Sequence, residues 1–411
     1  MITRIQIENY RSIEKVDVSL ENLTVLVGRN GAGKSAFIDA IRFLLEAVRF
    51  GLDRAIDERG GIGRLRKWGA KGFTDIIITV WIGPNAKDQG IDGDSIWIYQ
   101  IALKSLSENE WFVGSESCWI NVKSIEDQPI YSVENGQWQN QLEKVSNFLK
   151  SDPEPNELVL SKVGLVDGRV ALLEYYFRQI RCYSIFPLDS LRVPQNILNE
   201  PFLREDGKNM AQKLLELMPS SPSVQLELIP SPLSHYRMIC SALKSILGDV
   251  DKYAIDKVSR YLVVKLRHIS PDHPYYELSQ ESDGTLRVLA LLTALFQANL
   301  PSLLAIEEPE LHLHPGTFRA LAEVIKEVSQ KTQIILTTQS PDFITEFDPN
   351  NLRVVEKREG KTYIGGIENY QLDAINNELF TTGDLLRIEE LKINGTPNDT
   401  NSSDDQTSPN R

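Results

Sequence analysis

Residues 28–35 read Gly28-Arg29-Asn30-Gly31-Ala32-Gly33-Lys34-Ser35, the pattern GxxxxGK[ST]. The apolar run Leu23-Thr24-Val25-Leu26-Val27 precedes it, and Phe37, Ile38, Ile41, Leu44, Leu45 and Val48 follow at helical spacing. Strand, glycine loop and helix in that order are the context a phosphate-binding loop requires. The glycines let backbone N–H groups turn inward around a triphosphate at the positive end of a helix. Lys34 is placed to reach the β- and γ-phosphates, and Ser35, followed by Ala36, to offer a hydroxyl to Mg²⁺. The alternative, a chance glycine turn, has to account for both flanks at once. The stretch predicts binding of a nucleotide, ATP first.

The second half adds carboxylates. Ser302-Leu303-Leu304-Ala305-Ile306 reads as a buried strand ending in Glu307-Glu308-Pro309-Glu310. A carboxylate at such a strand end can hold the Mg²⁺ hydration shell, the role expected of Glu307. The next can orient or deprotonate the attacking water, the role expected of Glu308. Upstream, Ser282-Asp283-Gly284-Thr285 opens a very apolar helix, Leu286 to Phe296, whose first N–H groups suit a phosphate. Downstream, Ile334-Ile335-Leu336-Thr337-Thr338 is a second buried strand, ending in Gln339-Ser340-Pro341. Gln339 there can reach the γ-phosphate from the far side.

Composition sets limits. With 411 residues the chain has room for two or three domains. No apolar run approaches the roughly 18 residues that span a bilayer. Met1-Ile2-Thr3-Arg4-Ile5-Gln6-Ile7 alternates like a strand and lacks a signal peptide's apolar core, so a cytoplasmic location is expected. Cys118, Cys182 and Cys240 are isolated and suggest neither a metal knuckle nor disulfides. A net charge of −13 argues against a surface that coats nucleic acid, though a local basic groove remains compatible with it. Arg64, Arg66, Lys67 and Lys71 are the densest basic cluster, read equally as a solvated helix end or as a DNA contact.

Along the chain, residues 1–74 hold two alternating strands, the phosphate loop and its helix. Residues 75–170 are rich in Ile, Val, Trp, Tyr and Thr and read as mainly antiparallel sheet. Residues 171–261 read as helical, in segments 171–181, 208–218, 233–247 and 251–261, with Pro219, Pro222, Pro230 and Pro232 marking a connection. Residues 262–394 return to alternating strand and helix, and 395–411 have the composition of a disordered tail.

The order of these motifs, with Glu310-Leu311-His312-Leu313-His314-Pro315 and the opening Asn9-Tyr10-Arg11-Ser12-Ile13, resembles the ABC-type ATPases of the SMC/RecF/OLD branch, in particular its short bacterial RecF-like members. Residues 1–50 and 262–390 carry the likeness well and the middle only in outline. It implies an α/β fold, an ABC-type ATPase head of mixed sheet and flanking helices, carrying an inserted antiparallel β subdomain and a helical subdomain. It further implies two heads closing over two ATP molecules. Each nucleotide would lie between Gly28–Ala36 of one subunit and Ser282, Asp283, Gly284 and Thr285 of the other, with Ser35 and Glu307 on the metal and Lys34, Glu307, Glu308 and Gln339 in catalysis. Such a seam is isologous.

The chain departs from the general ABC-type pattern where Glu307 stands for the usual Asp, Gln339 for the frequent His, and Glu281 precedes Ser282 where transporters carry Leu; the resemblance implies that the first and last are common in this branch. Replacing the switch His removes a group that titrates near neutral pH and is expected to lower turnover. The γ-phosphate-sensing loop is expected within Arg64–Asp75, without an assigned glutamine. His312 and His314 read as seam residues, or as histidines packed beside a helix started by Pro315, rather than as metal ligands, because no further ligands have suitable spacing. Long coiled-coil arms are missing, and the residues after the last strand read as too few for an appended nuclease. The biological expectation is therefore the ATPase subunit of a bacterial antiphage-defence or genome-surveillance complex with a separately encoded, nuclease-like effector. The partners are the chain itself, in a homodimer or higher oligomer, the effector, and DNA as a further candidate. A stand-alone RecF-like repair ATPase and a slow-turnover ATP sensor are the alternatives.

Overall fold

The computed structural model describes residues 1–69, 72–83, 97–121, 124–140, 143–148, 151–184, 188–198, 200–219 and 232–394. The tail 395–411, Lys71, Pro222 and Pro230 lie outside them.

Leu23–Val27 is buried at every position, as a strand covered on both faces must be. It lies in a six-stranded sheet between Leu352–Arg358 and Gln333–Thr338, followed by Leu303–Glu307 and Ile180–Tyr183. These neighbours pair in parallel, and Lys361–Gly365 adds an antiparallel edge. Thr338 is level with Val27, and Glu307 with Thr337. The ends of three adjacent strands therefore deliver the phosphate loop, the switch residues and the acidic run to one rim.

Alternate residues of this sheet feed two cores. Leu303, Ala305 and Ile335 join the loop helix Lys34–Phe50, whose Phe37, Ile38, Ile41 and Leu44 are buried. Leu304, Ile306, Ile334 and Leu336 join the apolar helix Asp283–Phe296 and its neighbour Phe318–Ser329 on the other face.

A second, seven-stranded antiparallel sheet lies across the loop helix. The hairpin Ile2–Tyr10 and Ile13–Ser19 forms its edge, and Ile76–Ile82 pairs directly onto Ile2–Tyr10 before Trp97–Ser105 and Trp111–Ile120 continue it. Its interior holds Glu116. This carboxylate accepts from the Tyr99 and Tyr131 hydroxyls at 3.0 and 2.9 Å, and from the Val159 and Leu160 N–H groups at 2.6 and 2.9 Å. Gln333 clasps the two sheets: its amide accepts from Ile2 N–H at 2.9 Å and donates to the carbonyls of Ile2 at 2.7 Å and Glu21 at 3.1 Å.

Within the stretch read as helical, Gly168–Arg178, Met210–Leu217 and Pro232–Leu247 are helices. Two parts differ. The expected helix 251–261 is instead the strand Val250–Val258, paired antiparallel with Tyr261–His268. The turn between them is Ser259-Arg260, with Ser259 at φ 56°, so the glycine or asparagine that usually announces a hairpin is missing. The other is Ile180–Tyr183, which closes the parallel sheet beside Leu303–Glu307.

Candidate functional site

The loop helix has glycine at its N-cap and no side-chain cap, so the N–H groups of its first turn stay free for an anion. Gly31 and Gly33 take φ of 76° and 120°, where a side chain is strained. A Cβ at Gly33 would meet Thr362 Oγ1 at 2.2 Å, and one at Gly28 would meet the Val355 carbonyl oxygen at 2.2 Å. The loop is thus seated tightly on the strands beside it. A cavity of about 560 Å³ lies between Gly28–Ala32, Val354–Arg358 and Glu389–Lys392, on the side away from the acidic run.

Lys34 is buried, and its Nζ donates to the carbonyls of Gly28 at 2.6 Å and Arg29 at 3.1 Å. Burial lowers its pKa from the usual ammonium value, against the raising fields of Glu308, Glu310 and Glu307. Those carboxylates are close enough to act on the lysine. Glu308 sits at φ 45°, a conformation costly for a residue with a side chain. Two contacts hold it there: its N–H donates to Thr337 O at 2.9 Å, and its carbonyl accepts from Arg287 Nη2 at 2.8 Å. Glu307 lies 3.8 Å from the Arg42 guanidinium, which is also 3.8 Å from Glu205.

Glu310 is the buried member of the run. The Thr338 hydroxyl donates to its Oε1, while Oε2 has no partner among the described residues. Burial pushes its pKa up to about 7. Arg287 is buried beside it with Nε and Nη1 also unpartnered.

The signature residues Ser282–Thr285 sit elsewhere on the chain. Ser282 caps its helix by accepting from Thr285 N–H at 3.1 Å, so that N–H is already taken. A Cβ on Gly284 would lie 3.1 Å from His312 O, which places the signature against the His312–His314 loop. Among the described residues no hydrogen bond or ion pair joins Ser282–Thr285 to Gly28–Ser35. Gln339 follows its strand half-buried, and among the described residues no hydrogen bond ties its side chain to the other site residues. His314 Nδ1 accepts from Gly316 N–H at 3.1 Å, and no described group of three or more His, Cys, Asp and Glu could hold a metal ion. Of the basic cluster, the Arg66 guanidinium stacks on Phe73 at 4.6 Å and Lys67 donates to Trp68 O at 3.2 Å.

Sequence reading missed Arg287, Thr338 and Arg42, and quoted Glu310 without a role. A lone arginine in an otherwise apolar helix was the available signal for Arg287.

This arrangement, a phosphate loop and an acidic strand end separated by one switch strand, defines an ABC-type ATPase head. Comparisons with known proteins agree. A family model described as "AAA ATPase domain" matches residues 1–108, and one described as "AAA domain, putative AbiEii toxin, Type IV TA system" matches residues 243–345. Endonuclease GajA of Bacillus cereus (strain VD045) is 22% identical over 376 residues, covering 87% of this chain and 58% of that protein. The OLD nuclease of Thermus scotoductus (strain ATCC 700910 / SA-01) is 24% identical over 410 residues, covering 92% of this chain and 66% of that protein. The chain thus spans less than two thirds of the length of either relative. An Smc head bound to the C-winged helix domain of ScpA superposes with a TM-score of 0.54 at 14% identity, over 90% of this chain and 99% of that one. An Smc head with an extended coiled coil, bound to a ScpA domain derived from Pyrococcus furiosus, gives 0.54 at 13%, over 92% and 99%. The chain is thus similar to P-loop ATPases of the SMC/RecF/OLD kind in its motifs, and it has the fold of an Smc head. No described helix is long and apolar enough to cross a membrane.

Proposed function

We propose that two copies of this chain close face to face over two ATP molecules and that hydrolysis reopens them. The observation that carries the reading is the convergence of Lys34 with Glu307, Glu308 and Glu310 on one rim, while among the described residues no hydrogen bond or ion pair joins Ser282–Thr285 to the phosphate loop of their own chain. A second copy supplies the missing half.

The residues present fit the expected ligands. The glycine cradle, the uncapped helix start and Lys34 suit a triphosphate, and Ser35 with Glu307 would hold Mg²⁺, which when bound screens the charge of the phosphates. Glu308 orients the attacking water and takes its proton. Lys34 stabilises the charge that grows on the γ-phosphate side. Gln339 approaches from the switch strand. The Ser282 hydroxyl and Gly284 N–H of the second copy complete the shell.

Both relatives are named nucleases and extend beyond the part matched here. The likeness to two named nucleases supports a role beside nuclease-like chemistry, and we read the chain as the cytoplasmic ATPase subunit of an antiphage-defence or genome-surveillance complex whose effector is a separate protein. A tagged Glu308→Gln variant, purified from source cells with ATP and Mg²⁺, tests it. A dimer carrying a stoichiometric nuclease-like protein is the expected outcome. DNA alone would transfer the chain to repair, and a monomer in saturating ATP would overturn the two-headed mechanism.

A further inference from the structure

One side chain holds the loop that leads into the signature. Arg192, the last residue of the helix Leu188–Arg192, donates from Nη1 to the carbonyl of Glu281 at 2.8 Å, with longer contacts to Ser279 at 3.3 Å and Leu278 at 3.5 Å. Its Nη2 donates to the Asp283 carboxylate. The loop is gripped from the other side by His268, whose Nε2 lies 2.8 Å from Oε1 of the buried Glu281 carboxylate. Ser282 lies between residues that these two side chains fix. Sequence separations of 86 to 91 residues mean that only the folded chain brings Arg192 here.

A planar guanidinium can serve several acceptors at once in a fixed geometry, and an ammonium cannot. The guanidinium gathers the carbonyls of Leu278, Ser279 and Glu281 around one group and so fixes the direction in which the loop enters the helix. The Arg192–Asp283 pair is partly exposed and contributes little to stability by itself. Its contribution is geometric. Opposed head closure needs the Ser282 hydroxyl and Gly284 N–H in place before the nucleotide of the other copy arrives, and preorganised donors are worth more than donors that must be gathered.

We propose that Arg192 is a positioning residue for the opposite active site: it sets Ser282 and Gly284 to receive the nucleotide bound by the second copy, and contributes nothing to its own chain's phosphate loop. This rests on the two-headed reading above.

Mixed dimers of differently tagged chains separate the two ideas. Pairing Arg192→Ala with Lys34→Ala leaves one composite site whole, because the intact phosphate loop of the first chain faces the intact signature of the second. Placing both substitutions on one chain opposite an unaltered chain leaves none whole. Turnover is expected in the first pairing and only background in the second, with ATP binding by the Arg192→Ala monomer unchanged within about twofold. Arg192→Lys is expected to behave like Arg192→Ala. Ser282→Arg in place of Arg192→Ala is the reference. If it shows the asymmetry and Arg192→Ala does not, Arg192 has only a folding role and the proposal falls alone. If neither shows it, the two-headed reading falls and the proposal with it. A misfolded Arg192→Ala chain would fail in both pairings, which also counts against the proposal.

Discussion

Glu116 and Glu310 are both buried carboxyls whose pKa burial pushes up to about 7, yet they live in opposite ways. Glu116, inside the antiparallel sheet, accepts four hydrogen bonds. Glu310, on the rim of the parallel sheet, has Thr338 as its one side-chain partner among the described residues and stands beside an arginine with two idle nitrogens. Titration behaviour therefore does not distinguish a structural carboxyl from a functional one. Satisfaction separates the two: native interiors rarely leave polar atoms unpaired, so the idle atoms of Glu310 and Arg287 call for an explanation that Glu116 does not.

The contrast can be broken in several ways. The largest effect is expected from Glu308→Gln, one residue pair away from Glu310: turnover should fall about 10²–10³-fold, roughly 3–4 kcal/mol of barrier, with unfolding by urea unchanged. A variant that hydrolyses ATP normally would remove the rim from the chemistry. Glu116→Ala should do the reverse. It strands two N–H groups and two hydroxyls in the interior, a loss of about 3 kcal/mol in the same urea experiment, while turnover per folded molecule stays put. Less than about 1 kcal/mol would mean that the four contacts are decoration.

Next comes pH. Folded Glu310 keeps its proton up to about pH 7, whereas an unfolded chain releases it near the ordinary value of 4.5. The folded state therefore binds more protons in that window, and stability is greatest below it and declines as pH rises through about 7. Melting curves at pH 5 and pH 8 should differ less in Glu310→Gln than in the unaltered protein, by about 2 kcal/mol converted from Tm. An identical difference in both would show that Glu310 titrates alike in the two states. The smallest effect belongs to the outer face of the same sheet that holds Glu116. Arg4→Ala removes an exposed ion pair with Asp17 and should cost under about 0.5 kcal/mol, a bound that double-mutant cycles with Asp17 can check.

What the sequence made legible was contiguous. Gly28–Ser35 and Glu307-Glu308 each announce themselves within a few residues, and their strands are apolar runs bounded by turn residues. Glu310, Thr338 and Arg287 form one cluster from three separate elements, and no local pattern ties an arginine at 287 to a carboxyl at 310. Ile180–Tyr183 was hidden because four residues including an arginine carry too little periodicity; the buried Arg181 guanidinium is accommodated by donating to the carbonyl of Arg178 at 2.7 Å and lying over the Phe202 ring. Val250–Val258 was hidden by a turn of Ser and Arg. The alternation after residue 75 announced an antiparallel sheet. Its attachment to Ile2–Tyr10, across more than sixty intervening positions, was a tertiary fact.

Gln333 opens the strand that ends at the switch, and its one amide grips Ile2, in the first strand of the other sheet, at two points and the Glu21 carbonyl at a third. One strand thus joins the rim to the second sheet: its covalent end carries Gln339 and its other end is tied to Ile2 and Glu21 by a single side chain.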